Sequence, residues 1–378
     1  MKTSFRFKTI FLCTSIICLS CTLWAQGPVT TPPGGGNQKA SVTQYMGLVA
    51  VTIDYNSPDV TGPNGQSREG QIWGQLVPYG MTNLGFGTAK ESPWRAGANE
   101  ITTISFSHDV MVEGQPLAAG TYGLHMIADP EEWTVIFNRN ITAWGSFFYN
   151  PDDDALKVKV TPVENQFTEW LTFGFEDRQL GSTTAYLAWE NLKIPFKVSC
   201  DINEIYLSKI RQELESSQGF TWQGWQSAAN FCIQNNLNLE EALTWADQAI
   251  NAPFGIGVEN FVTLDTKAQV LTLLNRNDEA EAIMKKAIDH PTTTMTQIHF
   301  YGRRLINQGK NQEALDIFKL NRKRNPKDNF TTLVGLARGY QAIGDKKKAI
   351  DNFRLAAKNA PTGQAQFYEN LAKQLEDS

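Results

Sequence analysis

The chain has 378 residues, of which 41% are hydrophobic, 19% charged and 11% aromatic, with a formal net charge of −5 at pH 7. That length and apolar content exclude both disorder throughout and one ordinary core, so two folded domains are expected. Residues 26–200 carry 10 basic and 18 acidic side chains and residues 201–378 carry 21 of each, a balance that argues against nucleic acid or an anionic membrane surface as partner.

In chain order, Lys2, Arg6 and Lys8 precede an apolar stretch from Ile10 to Leu23, and Leu23-Trp24-Ala25 supplies a small-residue cleavage site. This predicts a signal peptide over residues 1–25 and an exported protein, periplasmic or secreted. The apolar stretch is short of the roughly 20 residues a spanning helix needs, and no later segment is expected to cross a membrane. Leu19-Ser20-Cys21 offers an alternative, a lipoprotein anchored at Cys21. With the leader removed, Cys200 and Cys232 remain. They are a possible disulfide in an oxidising compartment, or two small buried apolar residues, and they lack the paired spacing of a zinc site. Residues 26–40, rich in Gly and Pro, read as a flexible linker.

From 41 to 200 the chain alternates Val, Ile, Thr and aromatic residues with polar ones. Strands are expected at 49–55, 71–77, 101–106, 110–112, 120–127, 134–138, 156–163, 171–175 and 185–189, with Gly, Pro, Asn and Asp turns between them. Short strands without intervening helices predict an antiparallel β-sandwich, jelly-roll-like. Near 195–201 the period becomes helical, and Ile202, Tyr206, Ile210 and Leu214 predict a bracing helix over 201–217.

Four alanines, Ala242, Ala280, Ala314 and Ala349, recur at intervals of 38, 34 and 35 residues, each followed by a proline, Pro253, Pro291, Pro326 and Pro361. Small residues allow close helix crossing and large ones fill the gaps, so Ala280, Ala314, Phe318, Tyr340, Ala349 and Phe353 are expected to be packing residues. The units resemble tetratricopeptide repeats. The resemblance implies about four helix pairs over 201–378, stacked as a short α-helical solenoid whose groove holds a protein or peptide partner.

The string Trp94-Arg95-Ala96-Gly97-Ala98-Asn99-Glu100, together with 74–80, 114–122, 132–138 and Trp144-Gly145, resembles the bacterial domain of unknown function 2911 family over residues 41–198. The chain departs from that pattern at 81–92, which lengthen the loop. The family brings no established activity.

Trp94, Arg95, Asn99, Glu100 and His125 are therefore candidate ligand-binding residues on chemical grounds, because a guanidinium and an amide on one loop can grip a polar ligand. The structural alternative pairs Arg95 with Glu100 or another carboxylate, makes a tight turn of Gly97 and Asn99, and plugs the core with Trp94. His108 and His125 lack metal-ligand spacing, so no metal is expected, and no motif implies a cofactor. Asp152-Asp153-Asp154 reads as a solvated turn, and His290 and His299 as exposed residues beside a repeat boundary. The sequence favours an exported noncatalytic binding or scaffold protein. The alternative is a cell-envelope enzyme acting on carbohydrate or peptide near Arg95 to Glu100, with Trp73, Trp94, Trp133, Trp144 and Tyr149 as stacking platforms. Its catalytic residues and the oligomeric state stay open.

Overall fold

The computed structural model describes residues 37–377. The signal peptide, Cys21 and most of the expected linker lie outside them. The chain divides into two units, the first ending at Ile205 and the second beginning at Tyr206.

The first unit is built of antiparallel strands. β1 (Gln38–Met46), β2 (Val49–Ser57), β3 (Thr103–Phe106), β6 (Gly120–Ile127), β7 (Trp133–Asn138) and β8 (Asp154–Val160) form one sheet in the order β1-β2-β3-β6-β7-β8. β4 (Val110–Val112), β5 (Gln115–Leu117), β9 (Val163–Gln179) and β10 (Ser182–Ser199) form a second, in the order β5-β4-β10-β9. Alternation sets the faces: Val49, Val51, Ile53 and Tyr55 of β2 are buried, and the residues between them are less so. β7 is buried at all six positions, as expected of a strand flanked on both sides by β6 and β8. Rings from the two sheets meet, Tyr55 with Phe173 at 5.0 Å and Phe137 with Phe196 at 6.0 Å between centroids.

Three sequence expectations are corrected here. Residues 71–77 form no strand, only a single bridge from Trp73 to Val77, because Gly74 sits at φ +83 and breaks the extended run. β1 begins at Gln38, inside the segment read as linker, and pairs with β2 along its whole length. β10 continues to Ser199, past the point where alternation weakens, since Ile194, Phe196 and Val198 still face inward.

The second unit is helical. α1 (Ile202–Leu214) spans the division and is followed by α2 (Trp222–Asn235), α3 (Leu239–Asn251), α4 (Phe261–Leu273), α5 (Asn277–Asp289), α6 (Met295–Asn307), α7 (Asn311–Arg324), α8 (Thr331–Ala342), α9 (Lys346–Lys358) and α10 (Ala365–Asp377). Two starts are closed by capping boxes, Asn260 with Thr263 and Thr294 with Gln297. Ala242, Ala280, Ala314 and Ala349 fall one each on α3, α5, α7 and α9, and all are buried. Helices α2 to α5 pack in succession, as do α6 to α10, and α2 also meets α4 as α6 meets α8. Tyr301 of α6 and Ile317 and Leu320 of α7 pack on the apolar cluster of α3, α4 and α5. α10 follows Pro361 and covers the last pair, its Tyr368 ring stacking near Phe353 at 6.3 Å and its Ala372 fully buried.

The recurring large residue has a specific seat. Phe318 of α7 is 0% exposed, and a Cβ added to Gly302 or Gly335 would lie 2.6 Å from its ring, and one added to Gly339 3.0 Å. Three glycines on α6 and α8 thus leave room for one phenyl ring. Gly302→Ala is expected to cost about 1–3 kcal/mol by overpacking, read as a lower urea midpoint of the helical circular dichroism signal. Ala280, Ala314, Ala349 and Phe353 are buried as well, while Tyr340 is half-buried with Lys348 Nζ 5.1 Å above its ring.

Cys200, half-buried, and Cys232 are both free thiols in this structure. Cys232 is fully buried on α2 among Ala228, Ala229, Trp245 and Leu207, and burial pushes its thiol up to about 11. A thiol so held behaves as a small apolar residue.

Candidate functional sites

A cleft of about 770 Å³ opens in the first unit and is bounded by Arg68, Leu76, Thr82, Trp94, Arg95 and Trp189 among others. Two of its lining residues, Trp94 and Trp189, belong to an aromatic cluster. Trp73, Trp94, Trp133 and Trp189 form one cluster, with Trp73 edge-on to the other three at 5.2 to 5.9 Å and Trp94 stacked on Trp189 at 6.3 Å. The Nε1 atoms of Trp73 and Trp133 are buried without a hydrogen-bond partner. Packing four indoles together, Trp133 and Trp189 buried and Trp73 and Trp94 half-buried, holds this region together without a strand at 71–77.

The loop carrying Arg95 is bent by two residues in the left-handed region, Ala96 at φ 51 and Asn99 at φ 56. Asn tolerates that conformation, whereas Ala pays a steric cost that the surroundings must offset. The surroundings include Thr102, whose hydroxyl donates to the Ala96 carbonyl at 3.0 Å.

Of the five ligand-binding candidates, Trp94 and Arg95 border the cleft and the other three do not. Glu100 does not pair with Arg95; its Oε2 accepts from Asn56 Nδ2 at 2.8 Å. The Asn99 side-chain oxygen accepts from Asn37 Nδ2 at 3.3 Å. His125 is buried on β6, its Nδ1 3.1 Å from Ser146 Oγ and its ring edge-on to Tyr149. Burial lowers its pKa to about 4, against a smaller opposing pull from Asp154. It stands behind Ser146, which does border the cleft. Arg95 has no ion pair among the described residues, its Nε is buried without a partner, and burial lowers its pKa. An ion pair with Glu100 or another carboxylate therefore does not form among the described residues, and residues 96–99 form a bend with no backbone hydrogen bond among themselves.

Sequence reasoning missed Arg68, Ser146 and Trp189 as cleft residues. Trp189 was legible only as part of an alternating run, and the other two lie 27 and 51 positions from Arg95. The triple aspartate is also corrected. Asp154 is a buried hub, not a solvated residue: its side chain is 6% exposed and accepts from Asn138, Tyr149 and Lys157. Among the described residues no three His, Cys, Asp or Glu side chains gather as a metal site.

In the second unit, α6 and α8 bring together His299, Arg303 and Arg338. His299 is buried, which corrects its reading as exposed; it lies against Gly335 and Phe318. Its pKa falls to about 4, through burial first and then the charges of Arg303 and Arg338. Arg303 is exposed, with its guanidinium carbon 5.9 Å from the centroid of the exposed Phe300 ring. Arg338 Nε is buried without a partner, and its pKa is lowered by burial and by Arg303. Neither arginine has a carboxylate partner among the described residues. Asp328, the acid felt by His299, accepts instead from the backbone N–H groups of Phe330 and Thr332. A smaller cleft of about 170 Å³ lies among α4, α5 and α6, but its arginine, Arg304, is already paired with Asp265.

Antiparallel sheets followed by packed helix pairs thus define a two-part chain. The profile of a family described as protein of unknown function (DUF2911) matches residues 37–198, a span that takes in both sheets. No curated protein matches the chain. Among solved structures, one titled "YrrB: a TPR protein with an unusual peptide-binding site" is 19% identical, covering 46% of this chain and 84% of that one with a TM-score of 0.30. At that similarity no functional statement passes from it to this chain.

Proposed function

We propose that the chain is an exported, noncatalytic binding or scaffold protein whose helical unit holds a peptide segment bearing carboxylates. The two-arginine surface of α6 and α8 carries this reading. Two cations on one surface, Arg338 with its Nε unmet and its pKa lowered by burial and by Arg303, and neither with a carboxylate partner among the described residues, favour an anionic guest, and a guanidinium matches a carboxylate bidentately. The exposed Phe300 beside Arg303 and the exposed Phe367 on α10 add apolar purchase for a peptide. Consecutive packing of the helix pairs supports a short solenoid, and the ring contacts between the two sheets support a sandwich. Export rests on the leader alone, and secretion of a reporter fused to residues 1–40 checks it; a reporter retained in the cytoplasm rules it out.

The binding test is fluorescence polarisation of the full chain with a set of labelled acidic octapeptides and the same set with Gln and Asn in place of Glu and Asp. Saturable binding of the acidic set is expected, weakened about ten-fold or more by Arg338→Gln or Arg303→Gln, as for loss of a charge-assisted contact. Equal binding of the neutral set, or unchanged affinity in both variants, contradicts the reading.

A further inference from the structure

The first unit holds a second unsatisfied cation, away from the arginines of α6 and α8. Arg95 borders a cleft of about 770 Å³, a size ordinary for a small-molecule site. Its Nε is buried without a partner. The other charges of the cleft answer one another: Arg68 Nη2 lies 3.4 Å from Asp59 Oδ1 and also donates to the Asp59 carbonyl at 2.7 Å. Arg95 is thus left as the uncompensated charge there. A half-buried cation whose Nε is buried with no partner is costly unless something anionic or polar meets it.

The position of that cation is fixed from several sides. A Cβ on Gly145 would lie 2.6 Å from Arg95 Nη1, so the guanidinium rests directly over backbone that only glycine supplies, at φ +64. Ser92, three residues before Arg95, donates its hydroxyl to the Ser146 carbonyl at 2.9 Å and ties the two loops together. The long loop at 81–92 becomes a wall of the cleft. Its ends pair as Thr82 with Ser92, and Gly87 packs closely against the Phe147 backbone. The same cleft is lined by the two indoles of Trp94 and Trp189, stacked at an interplanar angle of 15°.

We propose that this cleft binds a small ring-bearing anion, with its carboxylate or phosphate on the Arg95 guanidinium and its ring against Trp94. A planar fork suits an oxyanion, and an indole suits the face of an aromatic or sugar ring. The remainder of this part of the chain is acidic, net −8 over residues 26–200 with 18 acidic and 10 basic side chains, so anion capture is confined to the cleft. The proposal deepens the binding reading given above and rests on it only for the first unit; it does not involve Arg303 or Arg338.

The test is tryptophan fluorescence of the full chain titrated with benzoate, glucuronate and glucose 6-phosphate, and with the neutral partners benzamide and methyl glucoside. A saturable change is expected with at least one anion and not with its neutral partner, and the anion that saturates says whether an aromatic or a sugar source fits. Arg95→Gln is expected to weaken it about ten-fold or more, and Arg95→Lys, which keeps the charge but not the fork, by less. Arg338→Gln is expected to leave it unchanged, which separates failure here from failure of the peptide reading. No saturation with any of the anions up to about 10 mM, equal response to the neutral partners, or wild-type affinity in Arg95→Gln overturns the proposal. If Arg95→Gln does not fold, wild-type affinity in Arg95→Lys for every anion tested overturns it.

Discussion

Phe318→Ala is expected to destabilise the helical unit by about 3–5 kcal/mol, the range for deleting a fully buried phenyl from a site that cannot collapse. Collapse is resisted here because the walls of the seat are backbone. Gly302, Gly335 and Gly339 have no side chains to move inward, and each contributes helix atoms held by its own hydrogen-bond ladder. His299 also leans on the ring, at 5.6 Å between centroids, so its packing is lost too. Phe318→Leu keeps most of the volume and is expected to cost less than half as much. Urea denaturation followed by circular dichroism at 222 nm checks this. A loss below about 1 kcal/mol for the alanine variant means that the glycine-lined seat does not hold the third and fourth helix pairs together.

Acid is expected to destabilise the first unit through His125. Its folded pKa is about 4 and its ordinary value 6.5, so between those values the unfolded chain binds a proton that the folded chain refuses. Stability therefore falls as pH is lowered from about 6.5 to about 4, by a total on the order of 3 kcal/mol for a shift of that size. The cause is burial, and the Asp154 carboxylate compensates only in part. His125→Gln keeps a polar group for Ser146 and removes the titration, so its urea midpoints are expected to lose this part of the acid slope. His299, whose pKa is also about 4, adds a separate slope in the helical unit, where the neighbouring arginines act in the same direction as burial. A pH series with the two histidines replaced singly distinguishes them. Midpoints unchanged between pH 7 and 4.5, or a slope unaltered in His125→Gln, contradict the assignment.

Periodicity made most of the architecture readable. The alternation in β2, β9 and β10 marked strands because each buries apolar side chains at every second position, and the spaced alanines marked the second helix of each pair because only small residues fit where helices cross closely. Gln71 to Val77 misled because Trp73 joins a tryptophan cluster and Gly74 breaks the extended run. The candidate site was half legible. Trp94 and Arg95 stood out by their loop, but the state of Arg95 depends on Glu100 turning to Asn56, which local sequence does not encode. Arg338 and His299 looked like ordinary helix residues, since their unmet donors arise only when α6 and α8 pack side by side.

Hydrogen–deuterium exchange of the full chain, with and without a saturating acidic octapeptide, tests the binding function most directly. Slower exchange is expected in α6, Met295–Asn307, and α8, Thr331–Ala342, and is expected to disappear in Arg338→Gln. Unchanged exchange in both helices, or protection confined to α7 and α9, would contradict the assignment of the peptide to the Arg303 and Arg338 surface.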